Sequence, residues 1–109
     1  MSLDISFGEY SGNITHNLNR MAKAINVTSP YGKTLYDHLW NAEENKIPEA
    51  SELTMPLLEA LRELHGDPDK YYPYEPANGW GSYSGFIRFL EEMLVNTLRY
   101  PNAKIEIDK

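Results

Sequence analysis

Phe86, Phe89, Leu90, Met93, Leu94 and Leu98 recur at steps of 3, 1, 3, 1 and 4. Only a helix brings positions with that spacing onto one face, and a helix with one apolar face must bury it against something else. A long helix over about 82–99, stopped by Pro101, is therefore the element around which the rest of the chain has to arrange itself. The chain of 109 residues is one domain, 1–109, able to bury a single modest core.

The preceding segments read as smaller helices. Leu18, Met21, Ala22 and Ile25 continue a stripe from Ile14, which predicts a helix over 14–25 with Asn13 as its N-cap after a turn at Gly8–Gly12. Thr34 caps a short helix that turns Leu35, Leu39 and Trp40 inward. Leu53, Leu57, Leu58, Leu61 and Leu64 mark another helix. Two starts fit it: near Thr54, with Pro56 in the first turn, or near Glu49 with a bend. The acids Glu49 and Glu52 suit the positive helix end and favour the earlier start. Asp67-Pro68 opens one more short helix.

At the two ends, Leu3–Phe7 and Ala103–Ile107 alternate apolar and polar, the period of half-buried strands. The expected fold is mainly α in the α+β class. It has three or four helices, one short extra helix, and two short terminal strands that pair with each other.

The stretch PANGWGSYSG, residues 76–85, places Gly79, Gly81 and Gly85 almost as a dinucleotide fingerprint does. That fingerprint needs a buried strand before it and a βαβ unit around it. Here the proline- and tyrosine-rich 71–76 precedes it, and only one short strand remains after it. The central residue of Gly81–Gly85 is Tyr83 rather than serine, so the nucleophile elbow fails as well. Asn78-Gly79 is instead a turn dipeptide. The expectation is that the turn plants Trp80 in the core and launches the last helix. A core-anchored indole puts the cost of Trp80→Ala at about 3 to 5 kcal/mol. The other reading displays Trp80 and Tyr83 to a partner, since such aromatics dominate binding hot spots.

No other pattern carries chemistry. There is no cysteine, which excludes disulfides and thiolate chemistry and fits a reducing compartment. His16, His38 and His65 share no helical H-x-x-x-H spacing. Of the three, His16 is the one placed to act as a base or ligand, beside Thr15 and Asn17. Catalytic, cofactor-binding and metal-ligating residues are not assigned, and the reading leans away from an enzyme. The net charge is −6, and residues 41–75 hold nine acids against three bases. No Lys/Arg cluster offers a phosphate footprint, so direct nucleic-acid binding is not expected. The start MSLDISFGEY lacks a basic, apolar leader, and no apolar run approaches the about 20 residues of a membrane span. A cytoplasmic chain without membrane contact is the expectation.

Two stretches together resemble a known family. Asn13, Thr15, Asn17 and Met21 stand at the spacing N-x-T-x-N-x-x-x-M. Pro76, Asn78, Gly79, Trp80, Gly81 and Gly85 precede an amphipathic helix that ends at Tyr100-Pro101. This order of features is similar to that of a family of short proteins from tailed bacteriophages and prophage regions. The resemblance implies a phage or bacterial cytoplasmic origin and no particular activity. It draws attention to Asn13, Thr15, His16, Asn17, Asn78, Trp80 and Tyr83, which are expected to lie close together. They then either interlock structurally, the favoured outcome, or frame a polar pocket for a small ligand or substrate. The lack of a chemical motif, the acidic middle, the eight tyrosines and the small size point first to an interaction protein that binds a host or phage protein, for which these are the candidate contact residues. A weaker alternative treats the acidic middle as a mimic of nucleic acid.

Overall fold

A two-residue hairpin turn organises the N-terminal region. The computed structural model describes residues 2–109 and begins with strand β1, Ser2–Phe7, followed by β2, Tyr10–Thr15. Phe7 pairs with Tyr10, leaving only Gly8 and Glu9 between the strands. Gly8 has φ +60°, the conformation that the first position of a tight hairpin demands and that a side chain resists. The terminal strand β3, Glu106–Asp108, pairs antiparallel with the other edge of β1, matching Ile5 to Ile107. The sheet order is β2-β1-β3, so β1 is central, and its Leu3, Ile5 and Phe7 face the core.

The pairing of the terminal strands and the α+β class thus match expectation. The second strand does not. Residues 10–15 were expected as a turn and a helix start, and they form an edge strand instead. Asn13 is consequently opposite Asp4 in the sheet and caps nothing. The hairpin outcompetes the helix because Tyr10 is buried against Phe7, with ring centroids 4.9 Å apart, and Leu3 pairs with Ile14. The apolar stripe survives from Leu18 onward. A 3-10 turn, His16–Leu18, leads into α1, Asn19–Lys23, which buries Met21 and Ala22.

Helix α2, Leu35–Leu39, buries Leu35, His38 and Leu39. Buried Trp40 follows as its C-cap. A 3-10 turn, Ala50–Leu53, precedes α3, Thr54–Gly66, so both sequence-based starts have a part in the truth. The chain coils from residue 50, and Pro56 falls in the first α-turn, where its missing N–H costs nothing. Helix α4, Pro68–Tyr71, is short, and α5, Tyr83–Arg99, is the long helix expected, capped by Ser82. Helices α3 and α5 lie side by side, joined at one end by a 2.9 Å bond between the Thr54 and Thr97 hydroxyls. No helix among the described residues is long and apolar enough to cross a membrane.

The entrance of α2 carries a reciprocal cap. Asp37 N–H donates to Thr34 Oγ1 at 3.3 Å, and the Asp37 carboxylate accepts from Thr34 N at 3.1 Å and Lys33 N at 2.9 Å. Burial alone would raise the Asp37 carboxyl, but these hydrogen bonds outweigh it and hold it below its ordinary value. The ionised form therefore stabilises the fold above the unfolded-state pKa, and that contribution disappears as pH falls through the lowered folded value. Asp37→Ala is expected to cost about 1 kcal/mol at neutral pH. In denaturant melts across the acid range, the difference between variant and parent should shrink toward zero as pH drops. A pH-independent difference would show that the carboxylate charge contributes nothing.

Candidate functional site

The segments singled out in the sequence converge at the end of the hairpin. A cleft of about 560 Å³ is lined by Ser2, Asn13, Thr15, His16, Asn17 and Trp80. Strand β2 and the 3-10 turn after it supply four of these residues, β1 supplies Ser2, and the loop before α5 supplies Trp80. Beyond His16 and Asn17 the surface continues into a second cleft of about 530 Å³, which also touches Asn19, Arg20 and residues 73–77.

The loop carrying Trp80 is pinned from several sides. Asn78 Oδ1 accepts from Trp80 N at 2.9 Å, and Gly79 N donates to Pro76 O at 3.3 Å. Gly81 has φ +110°, and a Cβ on it would fall 2.8 Å from Thr15 Cγ2 and 3.0 Å from Leu18 Cγ. The missing side chain is what lets this loop lie directly on the end of β2. Before the loop, Tyr71 is buried and donates its hydroxyl to Glu63 Oε1 at 2.8 Å. That bond, more than the Lys70 ammonium, holds the Glu63 carboxyl below its usual value. Across the loop, from before it to after it, Glu75 Oε1 accepts from Tyr83 N at 2.6 Å. The Tyr83 hydroxyl donates to the Leu64 carbonyl. Burial, with a smaller effect of Tyr72, pushes that hydroxyl up, which keeps it protonated as the donor.

Of the residues expected to meet, Asn13, Thr15, His16, Asn17 and Trp80 do so. Asn78 stands behind the cleft and shapes the Trp80 turn without lining it. Tyr83 is a correction to the sequence reading, for it is buried against Tyr72 with ring centroids 4.7 Å apart. It anchors the loop rather than facing a partner. Trp80 reverses the expectation in the other direction. It is 71% exposed, so the large aromatic of this turn points outward. Tyr83 takes the anchoring role because it begins α5 on the inward face, whereas the Asn78–Gly81 turn projects beyond it.

His16 is held in one tautomer. The buried Trp40 indole N–H donates to His16 Nδ1 at 2.8 Å. An indole N–H can only donate, so Nδ1 carries the lone pair and the ring proton sits on Nε2. Asn13 is oriented too. Its Nδ2 donates to Asp4 Oδ1 at 2.6 Å and to Ser2 Oγ at 2.9 Å. A carboxylate accepts only, which fixes the amide and leaves Oδ1 as its remaining acceptor. Thr15 Oγ1 accepts from Asn17 N at 3.2 Å. Sequence reasoning missed Ser2, Asp4 and Trp40. Strand pairing could have found the first two, since Ser2 stands opposite Thr15 and Asp4 opposite Asn13.

Other groupings offer less. His38 is fully buried, with Nδ1 2.8 Å from Thr34 O and Nε2 2.7 Å from Ser29 Oγ. Ser29 Oγ also accepts from Tyr31 N at 3.1 Å, so this pair closes the 26–34 loop onto α2. Among the described residues no group of three or more potential metal ligands occurs. In the acidic middle, Glu44, Glu59, Glu63 and Glu75 are each tied to a donor within the chain. Comparisons with protein-family models, curated proteins and solved structures found no match to this chain.

The two residues of the Trp80 loop are expected to respond oppositely to substitution. Trp80→Ala should change stability by no more than about 0.5 kcal/mol, because an exposed side chain contributes little. Gly81→Ala should destabilise by about 1 to 3 kcal/mol, combining strain at positive φ with overpacking on Thr15 and Leu18. Urea melts of both variants check this. A destabilised Trp80→Ala together with a neutral Gly81→Ala would contradict the arrangement.

Proposed function

We propose that the protein is a non-catalytic binding domain that takes a small polar ligand in the cleft beside Trp80. One observation carries this reading. The cleft unites residues from both distinctive sequence segments, and its Asn13 and His16 side chains are already oriented by bonds to Asp4 and Trp40. Binding sites combine an apolar surface with a few placed polar groups, and this cleft has both within a volume typical of ligand pockets. Nothing in its lining pairs a nucleophile with a free base, since His16 Nδ1 is occupied by Trp40.

A second reading is favoured by the exposure of Trp80 itself. A tryptophan 71% exposed suits a small interaction protein that docks a host or phage protein. The resemblance in Asn13–Met21 and Pro76–Gly85 supports an accessory role in a tailed phage or prophage, acting in the cytoplasm of the bacterial cell.

Two measurements on the same protein separate the readings. Small polar fragments are screened by ¹H–¹⁵N correlation spectra, and the protein is affinity-purified from phage-infected cells with Trp80→Ala as control. The ligand reading expects fragment shifts at the Trp80 indole and at the Asn13 and Asn17 amides. Fragments that leave these signals unmoved, together with a protein recovered only when Trp80 is present, would replace it with the interaction reading.

A further inference from the structure

The chemistry of the cleft lining is unusually one-sided. Ser2, Asn13, Thr15, His16 and Asn17 offer hydroxyls, amides and an imidazole, and none of the lining residues is a cation or an acid. The nearest charge bonded to the lining is negative, the Asp4 carboxylate on Asn13. Above these groups stands one large, exposed aromatic ring.

Ligand classes can be sorted against this set. A phosphate, sulfate or carboxylate seeks Arg, Lys or several converging backbone N–H groups, and Asp4 would repel it. A purely apolar ligand would strip water from the polar atoms that have no partner in the chain, such as His16 Nε2 and Asn13 Oδ1, and leave them unpaired. A nucleotide could stack its base on Trp80, but the lining holds no cation for its phosphates, and Arg20 in the adjoining cleft is accompanied by the acid Glu75. A sugar ring meets both demands at once. Its hydroxyls each donate and accept, matching a mixed set of neutral amides and hydroxyls. Its C–H face is apolar and flat enough to lie on an indole.

The groups are also set in complementary roles. His16 presents a donor at Nε2 because Trp40 occupies Nδ1. Asn13 presents an acceptor at Oδ1 because Ser2 and Asp4 occupy its amide nitrogen. Asn17 adds an exposed amide able to do both. Such fixed groups lower the ordering cost of binding. The surface continues past His16 and Asn17 toward Asn19, Tyr74 and the opposite charges of Arg20 and Glu75, so a chain of rings has somewhere to run.

We infer that the cleft of Ser2, Asn13, Thr15, His16, Asn17 and Trp80 is a saccharide-binding site for neutral oligosaccharides, with one ring stacked on Trp80. The inference rests on the reading of this cleft as a ligand site, and it names the class of ligand.

The test titrates the ¹⁵N-labelled protein with xylohexaose, cellohexaose, maltohexaose and N-acetylchitohexaose. An array of neutral and acidic glycans widens the search, and a proline-rich decapeptide and inorganic phosphate serve as comparison probes. At least one neutral oligosaccharide is expected to shift the Trp80 indole N–H and the Asn13 and Asn17 side-chain amides, with acidic glycans binding more weakly. Trp80→Ala should weaken that binding by about 10-fold or more. Trp80→Phe should retain part of it, and Asn17→Ala should weaken it several-fold, all three with unchanged melting. Neutral glycans that leave these signals still, in titration and on the array, overturn the saccharide inference. If the decapeptide or a polar fragment then moves the same signals, the cleft remains a binding site for another class. If no probe moves them, the ligand-site reading falls as well.

Discussion

Trp40 is where three parts of the chain are tied together. Its indole is buried and stacks on Tyr36 at 5.5 Å between ring centroids. Its N–H needs an acceptor, and the one it finds is His16, 24 positions earlier, at the exit of β2. Its carbonyl receives the Lys109 ammonium at 2.7 Å, just past the end of β3. An indole N–H buried without a partner costs about 1 to 3 kcal/mol. The position of His16 is therefore a requirement of the core, and together with the Lys109 contact it holds both sheet edges against the segment after α2. Lys109 reinforces the same corner through Asn41 and Glu44, at 2.9 and 2.6 Å.

The candidate site follows from this constraint. Because Nδ1 of His16 is spent on Trp40, the other side of the ring is turned to work outward with a fixed donor. Because the hairpin sets Asn13 opposite Asp4, the amide is aimed before any ligand arrives. Because Gly81 has no side chain, the loop before α5 reaches Thr15 and Leu18, and Trp80 stands over the end of β2. A core bond, a strand register and a backbone contact thus place three different kinds of surface group at one cleft. The shape of this candidate cleft is set by how the hairpin and the α5 entrance lock together.

Much of the scaffold was legible in the sequence. Phe86, Phe89, Leu90 and Met93 of the apolar stripe are buried as its period demands, although Leu94 is half-buried and Leu98 at its end is exposed. Thr34 caps α2 with Asp37 answering it, and the terminal strands find each other. Edge strand β2 was hidden because Ser11, Gly12 and Asn13 carry no apolar alternation, and their strand state is imposed by the pairing with β1. The asparagine and threonine of that strand look locally like helix caps, and Thr15 does cap the 3-10 turn. Trp80 was misplaced because size alone argues for burial. Its exposure is decided by where the following helix begins, and α5 already spends its first inward position on Tyr83. The Trp40–His16 bond joins residues too far apart for any local pattern to announce it.

The imidazole nitrogens of His16 report that bond directly. In long-range ¹H–¹⁵N spectra of the folded protein at neutral pH, His16 should show a protonated Nε2 and a bare Nδ1. The Trp40 indole proton should exchange slowly, and should lose that protection in His16→Ala. A proton on Nδ1 of His16, or two nitrogens averaged to the same shift, would contradict the arrangement and detach the cleft from the core.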